Sequence, residues 1–302
     1  MPALAGLAAT GAAALAYAAR VEPRHLRVRR FAVSAPDLDP NLEGARLAFM
    51  SDFHMYGPGK NRTMTERAVA AVVAERPDMV LLGGDFYDHA AWYRDGTTFA
   101  PLAAMGQPVF AVLGNHDFRG GRVNAREIVD LLGRQGVEVL RNRWTTTTLI
   151  GQEVIISGVD DPYLRLDDLP SALAGLPGGK RPLALLAHAP SIVEKLPVGA
   201  ASFVLSGHTH GGQIRVSPWQ RLTPLDISFY LDQLYHRPLS RLQRGFQWER
   251  GCLVYVTNGV GMTRWPLRFC APPEVVMLTV TTRPVDPSAP CDATARYVRS
   301  LA

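Results

Sequence analysis

Cysteine is scarce in this chain: three residues in 302, at positions 252, 270 and 291. Their spacing matches no zinc-binding pattern, and an odd number cannot close into a complete set of disulfides. A structural zinc site and a disulfide-stabilised scaffold are therefore excluded. The sequence also has no internal repeat and no long low-complexity segment, and its 47% apolar and 20% charged residues exclude a disordered chain. A chain of this length can fold a large domain with a proper hydrophobic core.

Charge is absent from residues 1–19, all of which are apolar or small. As a helix, a segment of this length just crosses a hydrocarbon core of about 30 Å. Five arginines follow between Arg20 and Arg30, a placement that favours a basic flank on the cytoplasmic side of a membrane. We therefore expect residues 1–19 to form an apolar helix that anchors the protein, with the rest of the chain in the cytoplasm. A cleaved signal peptide and a secreted protein are the alternative, although no Lys or Arg precedes the apolar run.

Five short blocks built mainly from Asp, Asn and His each follow a predicted buried strand. The blocks are Asp52-Phe53-His54, Gly84-Asp85-Phe86-Tyr87-Asp88, Gly114-Asn115-His116-Asp117, His188 and Gly207-His208-Thr209-His210-Gly211-Gly212. In an open α/β fold the carboxyl ends of neighbouring strands converge on one crevice, where ligands bind. Taken alone, such a block is more often a turn or a surface pair than a ligand set. Five of them, each directly after a strand, predict a single site.

The residue types in these blocks predict a metal centre. The candidate ligands are Asp52, His54, Asp85, Asn115, His188, His208 and His210. Carboxylate, amide and imidazole groups without nearby cysteine suit divalent ions such as Mn, Fe, Zn or Co. Asp52 and His54 lie two residues apart at a strand end, so both side chains leave the same face and can chelate one ion; His208 and His210 repeat this spacing. Asp85 is placed to share its oxygens between two ions. Such a pair, about 3.5–4 Å apart, can clamp both oxygens of an in-line displacement at phosphorus.

The order of the blocks resembles that of the calcineurin-like metallophosphoesterase superfamily. Its series Asp-x-His, Gly-Asp-x-x-Asp, Gly-Asn-His-Asp, His and Gly-His-x-His is present in full across residues 47–213. The resemblance implies that all seven candidate residues ligate two divalent ions, with Asp85 bridging them. It also implies that His116 protonates the leaving oxygen and that Asp117 steadies it. A histidine of near-neutral pKa suits a general acid, and a carboxylate can hold its tautomer.

The coarse order of elements predicts an α/β fold. Strands alternate with helices and are followed by further strands, which indicates two sheets packed as a sandwich with helices outside. The resemblance implies the same four-layer αββα sandwich, here with an apolar helix at its N-terminus. We expect this domain to cover residues 20–283, followed by a loose Pro-rich tail over 284–302.

An aromatic and basic insertion is predicted over residues 214–251. Its aromatic residues, which are interleaved with arginines, are Trp219, Phe229, Tyr230, Tyr235, Phe246 and Trp248. This composition is typical of a membrane–water interface or of a site for anionic ligands. The alternative is that the aromatic residues fill the core of a subdomain. Because the segment leaves soon after His210, we expect it to overhang the site and, with residues 1–19, to meet a lipid surface.

A nucleic-acid partner is not expected. The net charge is +5, but five positive charges belong to the run after residue 19, where anionic lipid explains them. The positive and negative charges of the remaining residues are close to balanced, and the chain contains no nucleic-acid-binding module.

The function predicted from these features is metal-dependent hydrolysis of a phosphoester or pyrophosphate bond in a lipid or nucleotide-lipid substrate at a membrane. Within the superfamily the chain looks most like single-anchor bacterial phosphoesterases, through Gly259-Val260-Gly261, Arg268-Phe269 and Pro272-Pro273-Glu274. Some members of that group cleave UDP-2,3-diacylglucosamine. A phosphodiesterase for soluble small molecules is the alternative. A non-catalytic metal-binding scaffold is a further one, which the intact ligand set argues against.

Overall fold

The computed structural model describes residues 2–56, 59–87, 96–215, 242–263, 265–285 and 297–301. The helices within these ranges are α1 (Pro2–Arg20), α2 (Lys60–Glu75), α3 (Ala100–Ala103), α4 (Gly121–Arg134) and α5 (Leu169–Leu173). The strands are β1 (Arg27–Val33), β2 (Arg46–Met50), β3 (Met79–Leu82), β4 (Val109–Ala111), β5 (Glu138–Val139), β6 (Arg143–Leu149), β7 (Gln152–Gly158), β8 (Ala184–Leu186), β9 (Phe203–Ser206), β10 (Gly245–Glu249), β11 (Cys252–Val256), β12 (Glu274–Val280) and β13 (Val298–Leu301).

The strands form two mixed sheets. The first has the order β13-β1-β12-β2-β3-β4-β5, and the second has the order β10-β11-β9-β8-β7-β6. The strands β2, β3, β4 and β5 are parallel neighbours, as are β7, β8, β9 and β11. Each sheet therefore brings the carboxyl ends of several consecutive strands to one edge, where ligands bind in folds of this type.

The alternation of side chains along the strands builds the layers. In β2, Leu47 and Phe49 belong to the core between the sheets, together with Phe203 and Leu205 of β9. The intervening residues of β2 point the other way, because successive strand residues face opposite sides, and they pack with the apolar faces of α2 and α4. A third core lies on the outer face of the second sheet, against α5. The result is the predicted α/β sandwich with helices outside.

Helix α1 is attached to the sandwich at its C-terminal end. The carbonyl oxygen of Ala18 accepts a hydrogen bond from the backbone N–H of Arg268 (2.9 Å), and the Tyr17 ring packs edge-on against Phe269. The carboxylate of Glu22 accepts hydrogen bonds from the backbone N–H groups of Cys270 and Ala271. These contacts fix the start of the domain against the loop that contains residues 268–271.

The anchor predicted for residues 1–19 is not confirmed. Helix α1 is rich in alanine, whose methyl side chain offers little apolar area. No helix in the described ranges combines the length and the apolar character needed to cross a membrane.

Two predicted segments differ from expectation where the structure describes them. Phe246 and Trp248, assigned to the insertion over 214–251, lie in strand β10, and Phe246 packs against Phe31 and Tyr255 of the sandwich. Residues 216–241 of that insertion, with Trp219 and Phe229, lie outside the described residues. The tail over 284–302 is not loose throughout, because residues 298–301 form β13, antiparallel to β1. The open hydrogen-bonding edge of β1 accounts for this, since an unpaired edge readily accepts another strand.

Glu274, the first residue of β12, links the two sheets. Its carboxylate is buried and accepts hydrogen bonds from the Tyr255 hydroxyl (2.8 Å), the Thr257 hydroxyl (2.9 Å) and the Asn258 backbone N–H (3.0 Å). Because these partners continue from β11 of the other sheet, one side chain holds the ends of β11 and β12 together.

Replacing Glu274 by alanine should lower the free energy of unfolding by about 3 kcal/mol, because it leaves buried donors without an acceptor. Chemical denaturation measures this. The matched control is Glu66→Ala, which removes an exposed carboxylate paired with Arg62 and should cost less than about 1 kcal/mol. Equal losses in the two variants would show that Glu274 does not link the sheets.

Candidate metal centre

The five sequence blocks meet at one edge of the sandwich. Asp52 and Asp85 follow β2 and β3, which pair in parallel, and Asn115 comes after β4, the next strand. His188 and His208 follow β8 and β9, neighbouring parallel strands of the second sheet. Both sheets therefore contribute side chains to a single site, as the sequence predicted.

Asp52, His54 and His210 form a first group of potential ligands, and all three are buried. The Nε2 atoms of His54 and His210 lie 2.9 Å apart, and Nε2 of His210 lies 3.4 Å from Oδ1 of Asp52. Burial lowers the pKa of both histidines well below the usual value, so the imidazoles are neutral. Two neutral nitrogens and a carboxylate that face one another are suited to a shared cation.

Unsatisfied atoms in the same group support this interpretation. Burial raises the pKa of Asp52 to about 6. The positive groups of the protein near Asp52 therefore do not offset the cost of burying its charged carboxylate. Oδ2 of Asp52 and Nδ1 of His210 are buried without a hydrogen-bond partner in the part of the chain that the structure describes. Buried polar atoms usually have partners, and exceptions often mark a missing ion. The donor set of carboxylates and imidazoles thus fits divalent metal ions.

Asp85 connects the first group to a second one. Its Oδ2 lies 3.4 Å from Nε2 of His54 and 3.2 Å from Nε2 of His188. Nδ1 of His188 lies 2.7 Å from the carbonyl oxygen of Gly83, to which it donates, and this contact turns Nε2 toward Asp85. Burial opposes the charged form of His188, but the facing Asp85 carboxylate raises its pKa well above the usual value. Burial alone would raise the pKa of Asp85, but the facing histidines, His188 above all, hold it well below the usual value.

Asn115 and His208 lie beside these groups. Nδ1 of His208 is 2.9 Å from Oδ1 of Asn115, and burial lowers the pKa of His208 to about 3. The backbone N–H of His208 donates to Oδ1 of Asp52 (2.9 Å). The imidazole of His210, and not that of His208, belongs to the group of potential ligands with Asp52, so the two rings do not face one position as a strand pair would. The reason is that β9 ends at Ser206, and the alternation of a strand does not extend into the turn that follows.

The turns that carry the ligands have a strained backbone. Positive φ angles occur at Asp52 (60°), His54 (43°), Asp85 (57°), His208 (69°) and His210 (51°). Non-glycine residues adopt this conformation at an energetic cost, which the surrounding structure must offset, and such residues cluster at functional sites.

Close packing against the ligands requires glycine at two positions. A Cβ atom on Gly114 would lie 2.2 Å from Oδ1 of Asp85, and one on Gly207 would lie 2.2 Å from Oδ2 of Asp52. The glycines of the blocks Gly-Asn-His-Asp and Gly-His-x-His therefore leave room for carboxylates from neighbouring turns.

Asp117 has a different role from the predicted one. Its two carboxylate oxygens accept hydrogen bonds from the backbone N–H groups of Asp85, Phe86, Tyr87 and Gly114, at 2.8–3.0 Å. It thereby fastens the turn after β3 to the turn after β4.

His116 lies at the edge of the ligand cluster. Its ring is 4.4 Å from that of His54, and its backbone N–H donates to Oδ1 of Asp85 (2.8 Å). Its Nε2 lies 3.0 Å from a guanidinium nitrogen of Arg119. With His54 and Asp85 it also forms a third group that could hold an ion, so geometry alone is compatible with a ligand as well as with an acid.

Two further buried residues shape this site: Arg268, noted from the sequence only as part of a resemblance, and Asp161, which no sequence pattern indicated. Arg268 is fully buried and donates to the carbonyl oxygens of Asn258 (2.9 Å), Gly259 and Gly261, which holds the loop after β11 in place. That loop presses on Asp52, since a Cβ on Gly259 would lie 2.6 Å from the Asp52 Cβ. Asp161 is a further buried carboxylate, and burial raises its pKa to about 7. A single arginine or aspartate in a loop carries no local signal of such a position.

Comparison with known proteins agrees with this geometry. Residues 45–212 match the model of the calcineurin-like phosphoesterase family. The chain is 27% identical to the metallophosphoesterase YkuE of Bacillus subtilis, over 92% of this chain and 93% of that protein. It is 30% identical to the phosphodiesterase YaeI of Escherichia coli, over 79% of this chain and 83% of that protein. It is 26% identical to LpxG of Chlamydia trachomatis, a UDP-2,3-diacylglucosamine pyrophosphatase, over 89% and 93% respectively.

The family match covers more than half of the chain and contains all the blocks from which the site is built. The chain therefore belongs to the calcineurin-like phosphoesterase family, and it is a metal-dependent hydrolase.

Proposed function

We propose that the chain hydrolyses a phosphodiester or pyrophosphate bond with two divalent metal ions. The residues that would hold the ions are Asp52, His54, Asp85, Asn115, His188, His208 and His210. The observation that supports this most directly is the burial of carboxylate oxygens and imidazole nitrogens that face one another. When bound, the ions supply positive charge to the phosphoryl oxygens and lower the pKa of water.

Asp85 is the proposed bridging ligand. Its Oδ1 accepts the backbone hydrogen bond from His116, which leaves Oδ2 to face both groups. That single oxygen lies within 3.4 Å of histidines from both sides, His54 and His188. A full negative charge at this position attracts two cations, whereas a neutral amide attracts them only weakly.

Asp85→Asn should lower the metal content of the Mn-loaded protein and abolish most of its hydrolysis of bis-p-nitrophenyl phosphate. Metal affinity should fall by more than the roughly 10–100-fold that is typical of losing an outer-shell partner. Elemental analysis and a phenolate-release assay measure the two effects. Asp130→Asn, an exposed position on α4, is the control and should change neither. Two metal equivalents and normal turnover in Asp85→Asn would contradict the proposed centre, and absence of hydrolysis by the parent would contradict the function.

His116 is the proposed general acid. A guanidinium can only donate, so Nε2 of His116 accepts from Arg119 and the ring proton lies on Nδ1. An anionic phosphoryl group that drew Arg119 toward itself would release Nε2 to take up a proton and pass it to the leaving oxygen. His116 is thereby placed beside the ligands while it remains available for proton transfer.

His116→Ala should retain its metal ions and lose roughly 10²–10⁴-fold in rate on phosphodiesters with alkoxide leaving groups. Esters of p-nitrophenol should lose much less, because that leaving group departs without protonation. Rates on a matched pair of methyl and p-nitrophenyl esters test this, with metal content as the second measurement. Loss of metal, or an equal loss of rate on both esters, would assign His116 as a ligand instead.

A lipid surface is the proposed location of the substrate. Residues 9–17 of α1 are apolar or small, and Leu15 is 60% exposed. Trp265 is 62% exposed, and its carbonyl oxygen accepts a hydrogen bond from the Gln213 side chain (3.0 Å), three residues after His210. Tyr17 of α1 and Phe269 join these two regions. An exposed aromatic residue beside the metal centre, with arginines after α1, is typical of the membrane–water interface.

Leu15→Ser combined with Trp265→Ser should weaken binding to vesicles of phosphatidylcholine and phosphatidylglycerol, measured by co-sedimentation, by at least about tenfold, because each large side chain contributes about 1.5–3 kcal/mol when withdrawn from water. Hydrolysis of bis-p-nitrophenyl phosphate should not change. Val198→Ser, at a position that is 80% exposed, is the control. Undiminished vesicle binding of the double variant would favour a soluble substrate.

A further inference from the structure

A cavity of about 340 Å³ lies between the start of α4 and the loop after β7. Its lining includes Phe118, Arg122, Arg126, Arg141, Asp160 and Leu166. The volume falls in the range of roughly 300–1,000 Å³ that is usual for small-molecule sites. None of these residues has a role in the metal centre described above.

The chain segments on both sides of the cavity are connected to turns of the metal centre. On one side Phe118 directly follows Asp117, and the Asn124 side chain donates to the carbonyl oxygen of Asp117 (3.1 Å), which fixes α4 to the turn of His116. On the other side the loop carries Tyr163, whose ring lies 4.8 Å from that of His208. Short stretches of chain therefore connect the cavity to the turns that carry His116 and His208.

The charges around the cavity are unbalanced. Its lining contains three guanidinium groups and one carboxylate. That carboxylate, Asp160, is engaged by Arg141, which donates to it through Nε (3.0 Å) and Nη2 (2.7 Å) and also lies over the Phe118 ring. Arg122 and Arg126 are exposed and form no ion pair with any other residue that the structure describes.

The positions of Arg122 and Arg126 are unfavourable for the helix itself. They are four residues apart on α4, so like charges face each other on one side of the helix. Arg122 lies in the first turn, where the positive end of the helix dipole disfavours cations. An anionic ligand in the cavity would offset the repulsion between the two guanidinium groups.

We infer that this cavity binds a second phosphate of the substrate, adjacent to the phosphorus under attack, through Arg122 and Arg126. The substrate class is then a diphosphate diester rather than a simple phosphodiester. Arginine suits this role because its planar fork of donors matches phosphate oxygens. The inference rests on the proposed phosphoesterase function and names the substrate of that same site.

The test compares two inhibitors of bis-p-nitrophenyl phosphate hydrolysis by the Mn-loaded protein. UDP-glucose carries two adjacent phosphates, and the methyl ester of uridine 5′-monophosphate carries one. For Arg122→Gln combined with Arg126→Gln, the inhibition constant of UDP-glucose should rise about tenfold, and that of the methyl ester should stay the same. The rate on bis-p-nitrophenyl phosphate should also stay the same, because that probe has a single phosphate.

The matched control is Arg76→Gln combined with Arg134→Gln, which removes two exposed charges that do not line the cavity. It should leave both inhibition constants unchanged. The inference is overturned if the cavity variant binds UDP-glucose as tightly as the parent, if it loses both inhibitors equally, or if the control variant shows the same loss. Failure of the parent to hydrolyse bis-p-nitrophenyl phosphate would instead contradict the proposed function itself. The two failures can therefore be told apart.

Discussion

The buried carboxylate of Asp85 lies at the electrostatic centre of the site, where facing histidines hold its pKa well below the usual value. It lies between imidazoles that come from both sheets, His54 on one side and His188 on the other. Its own turn has a positive φ angle and is fastened by the four backbone hydrogen bonds of Asp117. Burying a charge in this way is costly unless it is paired. The sandwich thus concentrates buried charge at one edge, where the proposed divalent cations would bind, and contacts elsewhere in the fold hold these side chains in place.

The supports of the site come from outside the blocks that contain the ligands. Glu274 joins the ends of β11 and β12 across the two sheets, and Arg268 holds the loop that presses on Asp52. Helix α1 is attached to the same region through Ala18 and Glu22. Because preorganised ligands bind a metal better than mobile ones, these contacts affect the metal centre without touching it. The N-terminal helix is therefore connected physically to the geometry of the site.

The surroundings of the metal centre suggest how a substrate with two different ends would be oriented. Trp265 and the exposed side of α1 offer apolar area on one border, and the cavity with Arg122 and Arg126 offers positive charge on another. A molecule with an acyl part and a diphosphate part would satisfy both surfaces at once. In the proposed reaction the metal centre would supply the chemistry, and these borders would determine which phosphorus reaches it.

The sequence by itself determined the sandwich and the identity of the clustered residues, because both depend on local patterns. Apolar runs of strand length alternate with helices, and each block of Asp, Asn and His directly follows a run. Which side chains face one another depended on the tertiary structure, since the imidazole of His210 approaches the Asp52 carboxylate through turns with positive φ. The tertiary structure likewise placed Asp117 among backbone amides, paired the C-terminal residues 298–301 with β1, and brought arginines of α4 to a cavity beside the site. Such contacts join residues far apart in the chain, and their energies depend on packing and burial that no local pattern records.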